Sequence, residues 1–333
     1  MKILAPVSSV SEAESLIERG AAEFYCGLLP RVWKRKYGNQ LWLSRRGEKG
    51  SNFKSFPALK KLVEIAHQGS VPVFLTLNQQ FYLPQQYQEV VDLAGKAKEY
   101  CGIDAVIVGD PGLIMALKEN FPNLTIHVSS LAAVLNSASA AFFQSLGVER
   151  IIFPRYLSLE GLQMIMNKVG HTVEYEVFIL NDGCIFEEGY CFANHIFGGA
   201  FCHNPTWQYQ LLETETRKSY FNEASFSQHL KDYRQWIQSA IRNCQGSLSL
   251  GGFPLGMCGL CALPELKKLG VKSLKIVGRE SSTAKKLSSV TLVKKVLDGL
   301  EAGLDEEAIH SIAQELRNTS DNLCASKYMC YYR

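Results

Sequence analysis

Short apolar runs alternate with amphipathic stretches along most of the chain. Eight such runs stand out: Lys2–Leu4, Glu23–Cys26, Val73–Leu77, Ala105–Val108, Thr125–Val128, Arg150–Phe153, Val173–Leu180 and Ser273–Val277. Most are continuous rather than alternating, the pattern of strands covered on both faces. Between them, apolar positions recur at helical spacing with recognisable punctuation. Ser11 and Glu14 have capping-box spacing, and Gly20 stands where that helix should stop. Strand followed by helix, repeated, predicts a parallel sheet, and eight units predict closure. The expected fold is therefore α/β, a (β/α)8 TIM-like barrel. An open doubly wound sheet is the competing arrangement of the same units.

Two long departures interrupt the pattern, residues 28–56 after the second strand and residues 181–270 after the seventh. In a barrel both leave from the C-terminal strand ends, where active sites are built. With no repeat or linker between them, a single barrel domain over residues 1–333 is expected, with loop insertions after strands 2 and 7 and a tail at 318–333. Apolar residues make up 47% and charged residues 20%, enough to bury a core without staples. The net charge of +3 implies no polyanionic partner by itself. Met1 to Pro6 reads as a strand rather than a leader, and no apolar run is long enough to span a membrane. The expected location is the cytoplasm, where thiols stay reduced. Ten cysteines then point to metal or redox chemistry rather than disulfides.

The cysteines gather where the seventh strand ends. Cys184 follows Asn181-Asp182-Gly183, and Cys191 and Cys202 come next, among Gly183, Gly189, Gly198 and Gly199, which let backbone fold tightly. Cys258-Gly259-Leu260-Cys261 precedes the last strand, and Cys324 and Cys330 form a Cys-x5-Cys tail. Thiolates at such loop spacings suit an iron–sulfur cluster, and spacing alone suits tetrahedral zinc equally well. Cys261, Cys324 and Cys330 form a second metal site, close over the first, or sit in a frayed tail. Cys26, Cys101 and Cys244 read as packed thiols. His203 reads as an outer hydrogen-bonding partner more than a ligand.

The run Glu176-Val-Phe-Ile-Leu-Asn-Asp-Gly-Cys184-Ile-Phe-Glu-Glu-Gly-Tyr-Cys191 resembles the cysteine motif of peptidase family U32 (collagenase-like). Ser273-Leu-Lys-Ile-Val-Gly-Arg279 resembles that family's Lys-Ile-Glu-Gly-Arg ending, with Val277 in place of the glutamate. Ala5-Pro6, His127-Val-Ser-Ser and Phe153-Pro154-Arg155 extend the likeness over nearly the whole chain. The resemblance implies a 4Fe–4S cluster on Cys184, Cys191, Cys202 and, six residues before Pro264, Cys258. It also implies oxygen-independent hydroxylation, since characterised members act in ubiquinone biosynthesis or in tRNA and rRNA hydroxylation, some with prephenate implicated as oxygen source. The substrate class is then a small aromatic or quinone precursor, or RNA, and a heteromeric partner of the same family is plausible.

Residues at strand ends are the natural catalytic candidates. Asn78, Asp110, His127, Ser129, Arg155, Glu176 and Arg279 fall there. His127 has a suitable acid–base range, against a satisfied barrel histidine. Arg155 and Arg279 offer forks for a carboxylate substrate, against ion pairs with a residue such as Glu176. In residues 31–54, Arg31, Lys34, Arg35, Lys36, Arg45, Arg46, Lys49 and Lys54 lie among Trp33, Tyr37, Trp42 and Phe53, with Glu48 the one acid. Such interleaving suits phosphate tracking and base stacking on RNA, or simply a solvated cover over the mouth. A peptidase is the family's namesake activity. No Gly-x-Ser-x-Gly elbow or His-Glu-x-x-His motif is present. A non-catalytic partner subunit, its cluster only bracing a loop, is the third reading.

Overall fold

The computed structural model describes residues 1–332 apart from 39–41, 47–49, 185–186, 192–211, 219–223, 225–226, 229–230, 233–247, 250, 318–323 and 325–328. Strands β1 (Lys2–Pro6), β2 (Glu23–Gly27), β3 (Val73–Leu77), β4 (Ala105–Val108), β5 (Thr125–Val128), β6 (Arg150–Ile152) and β7 (Glu174–Asn181) follow the apolar runs. β8 (Met257–Cys258) is a short strand inside the second insertion that the pattern did not reveal, and β9 (Ser273–Ile276) is the last. Each neighbour from β1 to β7 pairs in parallel, β7 pairs with β9, and β9 returns to β1. The eight parallel strands thus close a TIM-like barrel, and the open-sheet alternative is discarded. β8 adds to the rim alone, antiparallel to the end of β7.

Continuous apolar runs arise because outward side chains meet the helical ring and inward ones meet each other. Cys26, Leu75, Val106, Ile126 and Ile151 are wholly enclosed beneath the helices. Leu4, Tyr25, Phe74, Ala105, Ile107 and Ile152 form a separate inward cluster. Cys26 and Cys101 are packed thiols as expected, and burial pushes them up to about 12 and about 11.

One local reading is corrected. The capping box is Ser9 with Glu12, two residues earlier than the Ser11–Glu14 spacing suggested. The Glu12 carboxylate accepts from the Ser9 N–H at 3.0 Å and pairs with buried Lys286 at 2.9 Å, so a tertiary partner selects that frame. Helix α1 (Ala13–Glu18) then stops before Gly20, whose φ of +103° favours glycine.

The lower barrel interior carries a charge network that the sequence reading missed. Arg150 bonds Glu23 at 2.8 Å, Glu174 at 2.6 Å and Glu176 at 3.1 Å, and Lys275 pairs with Glu176 at 2.7 Å. Its alternating signature was present in β7, where Glu174 and Glu176 point the same way. Among the described residues no helix is long and apolar enough to cross a membrane.

Candidate functional site

The C-terminal strand ends form one rim, and β7 delivers the cysteines to it. At Asn181 the backbone enters the left-handed region, φ +77°, and its side chain donates to Val277 O at 3.2 Å and Ser289 Oγ at 3.0 Å. That conformation suits asparagine and turns the chain off the sheet. Cys184 follows directly. Cys191 closes a tight helical turn, Glu188–Tyr190, held by Glu187 accepting from the Gly189 N–H at 3.0 Å. Both thiols are half-buried.

Arginines converge on this segment. Arg45 Nη1 donates to Glu188 O at 3.0 Å, and the same carbonyl accepts from the Cys191 N–H at 3.4 Å. The guanidinium therefore lies against the cysteine loop. Burial lowers Arg45 from its ordinary value, and its neighbours Cys184 and Cys191 oppose that by favouring its charged form. Arg46 reaches Asp182 at 3.5 Å and Glu280 at 3.6 Å. Arg155 donates from Nε to Asp182 O at 2.9 Å, pairs with Glu188 and lies 3.9 Å over the Phe178 ring. Arg279 donates to Asn52 at 3.1 Å, Thr76 at 2.8 Å and Ser44 at 3.0 Å. Tyr156 donates to Cys184 O at 2.8 Å. The forks of Arg155 and Arg279 are thus engaged by the protein itself, and the ion-pair partner of Arg155 is Glu188 rather than Glu176.

His127 and Glu176 lie within β5 and β7 rather than at the rim. Glu176 is fully buried between Arg150 and Lys275. His127 packs edge-on against Phe74, ring centroids 4.5 Å apart, and its Nδ1 has no partner among the described residues. Burial, with Arg150 and Lys275 nearby, holds it well below the ordinary histidine range. The folded chain therefore refuses a proton that the unfolded chain accepts near pH 6.5 (about the model-peptide value). Stability should fall as pH drops below that point, with a one-proton slope approaching about 1.4 kcal/mol per pH unit. Urea unfolding at several pH values should show this component in the native chain and its absence in His127→Leu.

Asp110 caps the following helix, accepting from the Gly112 N–H at 2.8 Å and from Tyr87 at 2.5 Å. Ser129 accepts from the Leu131 N–H at 3.2 Å, and Asn78 donates to Ser129 at 3.3 Å. These groups shape the rim. The basic insertion divides in two. Trp33, Trp42 and Phe53 are buried, so base stacking on them is corrected to core packing, and Arg45 and Arg46 turn inward. Helix α2 (Arg31–Tyr37) keeps Arg31, Lys34 and Arg35 exposed.

Cys258 sits on β8 opposite Leu180 and bridges in parallel to Cys330, so this part of the tail is paired rather than frayed. The Leu260 N–H bonds its sulfur, which favours a thiolate, although burial raises its pKa overall. Cys202, His203 and Cys244 lie outside the described residues. Among those described, no three Cys, His, Asp or Glu side chains stand close enough to share an ion as placed.

An α/β barrel with a cysteine loop and clustered arginines at its C-terminal mouth is the class that fold and site define. The sequence profile of Peptidase family U32 matches residues 8–333, and the chain belongs to that family. It is 32% identical to tRNA hydroxylation protein P of Escherichia coli (strain K12) over 157 residues, 42% of this chain and 34% of that protein. It is 25% identical to tRNA hydroxylation protein P2 of Bacillus subtilis (strain 168) over 283 residues, 83% and 79% of the two chains. The matched part is thus about a third of the length of the Escherichia coli relative. The solved U32 peptidase Mk0906 aligns at TM-score 0.43 and 17% identity over 54% of this chain and 68% of its own.

Proposed function

We propose that the chain acts in oxygen-independent hydroxylation of RNA, with an iron–sulfur cluster at the barrel mouth. Cys184, Cys191 and Cys202 would hold the cluster, with Cys258 as the fourth thiolate that the family motif supplies. The observation that carries this reading is Arg45, a half-buried guanidinium laid against the Cys184–Cys191 loop. A cation there offsets the negative charge of clustered thiolates. Bound in place, the cluster would supply redox chemistry that no side chain offers. Arg155 and Tyr156 position the loop through the Asp182 and Cys184 carbonyls, and Arg46 and Arg279 hold the basic insertion over the mouth.

RNA is favoured over a small aromatic substrate by the names of the relatives and by the exposed cations of α2. A peptidase is disfavoured because no hydroxyl or thiol hydrogen-bonds His127 among the described residues, and its ring is buried within the barrel. Changing Arg31, Lys34 and Arg35 together to Glu should weaken binding to undermodified tRNA. The slope of log affinity against log salt should flatten by about 2–3, the release expected from three lost phosphate contacts. Titration at several salt concentrations checks this, alongside mass analysis of the RNA for a hydroxylated nucleoside. Unaltered tRNA affinity and slope would remove α2 from the interface.

A further inference from the structure

The C-terminal tail lies along β8 as an added edge. The Cys258 N–H donates to Met329 O at 2.8 Å, and the Tyr331 N–H donates to Cys258 O at 2.9 Å. Those two bonds make Cys330 the parallel ladder partner of Cys258. Ladder partners send their side chains to the same face, so the two thiols start from neighbouring Cα atoms on one side. Paired strands lie about 4.7–4.9 Å apart, inside the Cα separation of about 4.4–6.8 Å that a disulfide spans.

The seat of the tail is specific. On its other edge β8 pairs with β7, Cys258 opposite Leu180. Tyr331 and Tyr332 donate from their hydroxyls to Asp182 O at 3.0 Å and Phe178 O at 2.7 Å. Gly259 makes room for the second ring, since a Cβ there would stand 2.8 Å from the ring of Tyr332. Arg317 ends the helix Glu306–Arg317, is 2% exposed, and donates to the carbonyls of Pro254 and Gly256, the latter at 2.8 Å. It thereby fixes the approach to β8. None of these bonds uses a sulfur atom, so backbone and anchoring side chains set the spacing of the two thiols.

We propose that Cys258 and Cys330 form a reversible disulfide, a redox catch that ties the tail to the rim and withdraws the Cys258 thiol from the mouth. The withdrawal alone rests on the iron–sulfur reading; the bond itself stands on the ladder. Both thiols are half-buried rather than sealed off. Hydrogen peroxide oxidises one of them to a sulfenic acid and is itself reduced to water. The second sulfur then displaces the hydroxyl, which leaves with the second thiol's proton as water, and the sulfur–sulfur bond forms. Burial keeps Cys258 largely protonated, which slows that step, and adjacency through the ladder makes it intramolecular and so compensates. Ladder partners hold their Cβ atoms wider than the about 3.8 Å mean of a disulfide, so closure draws the tail inward and leaves a bond that a dithiol opens readily.

The test is disulfide mapping of the full, unaltered chain, purified anaerobically, stripped of metal by a chelator and treated briefly with hydrogen peroxide before alkylation. Proteolysis and mass analysis should find the Cys258 peptide joined to the Cys330 peptide, and dithiothreitol should part them. The same treatment in urea should lose that preference, because the ladder is gone. Cys258 joined to Cys261 or another cysteine in the folded chain, or Cys258 and Cys330 both left to the alkylating agent, overturns the proposal. A second measurement reads the withdrawal. Offered iron and sulfide anaerobically, the oxidised chain should take up nearly none of the about four irons that the reduced chain takes up. Equal uptake by both forms would overturn the withdrawal of Cys258. No uptake by either form would sink the mouth cluster instead and leave the mapped disulfide standing.

Discussion

Changing Cys184 and Cys191 together to Ser is expected to take the anaerobically purified chain from about four irons to nearly none, if the mouth holds a 4Fe–4S cluster. Acid-labile sulfide and the broad visible absorption should vanish with the iron. The barrel itself should survive. Both thiols lie half-buried in a loop beyond β7, and the loop's anchors are backbone groups: Glu188 O receiving Arg45, Asp182 O receiving Arg155, and Cys184 O receiving Tyr156. None of those bonds uses a sulfur atom. Measured against the unaltered chain stripped of its iron, the unfolding free energy should therefore move by less than about 1 kcal/mol, the range of substitutions away from buried contacts. Iron and sulfide analysis with a urea unfolding curve on the same preparation checks both halves. Iron unchanged by the double substitution would show that the cysteine loop is not its holder.

Arg150→Met should do the reverse, leaving the mouth chemically intact while weakening the barrel beneath it. Arg150 bonds Glu23 and Glu176, which are fully buried, and Glu174, which is exposed at the barrel's lower end. Removing the guanidinium leaves buried Glu176 with Lys275, whose ammonium burial already disfavours, and buried Glu23 with only the exposed Lys2 at 3.6 Å. Breaking such a network by deleting one partner costs about 3–5 kcal/mol. The sign of the pH response follows. Without Arg150 the buried carboxylates bind protons more tightly folded than unfolded, so the variant's deficit should grow as pH rises and shrink toward the acid side of about pH 5. Urea unfolding at neutral and acid pH measures this. A loss below about 1 kcal/mol at neutral pH would mean that solvent, rather than Arg150, satisfies those carboxylates.

The strands were legible because burial on both faces leaves a one-dimensional mark, a continuous apolar run, and the barrel followed from repetition. The charge network was not legible in the same way. Glu23, Arg150, Glu176 and Lys275 lie on four strands, and only closure shows that they face one another. Glu176 and His127 read as rim residues although the apolar runs Val173–Leu180 and Thr125–Val128 already held both inside strands, because the depth of a position in the barrel depends on strand register. The basic insertion read from composition as an RNA surface or a solvated cover, yet half of the RNA argument belonged to the core. Trp33, Trp42 and Phe53 are apolar enough to bury, and Arg45 and Arg46 are drawn inward by the loop carbonyl Glu188 O and by Asp182 and Glu280.

Composition and spacing alone determined the βα order, the thiol-rich loop after the seventh strand and the likeness to family U32, because each is written in neighbouring residues. Tertiary structure alone decided which arginine meets which acceptor, that Asp110 is a helix cap, and that Cys330 lies beside Cys258 though 72 positions separate them in sequence. Pairings of that kind depend on the curvature of a closed sheet. Curvature is a property of all eight strands together, and no local run of residues encodes it.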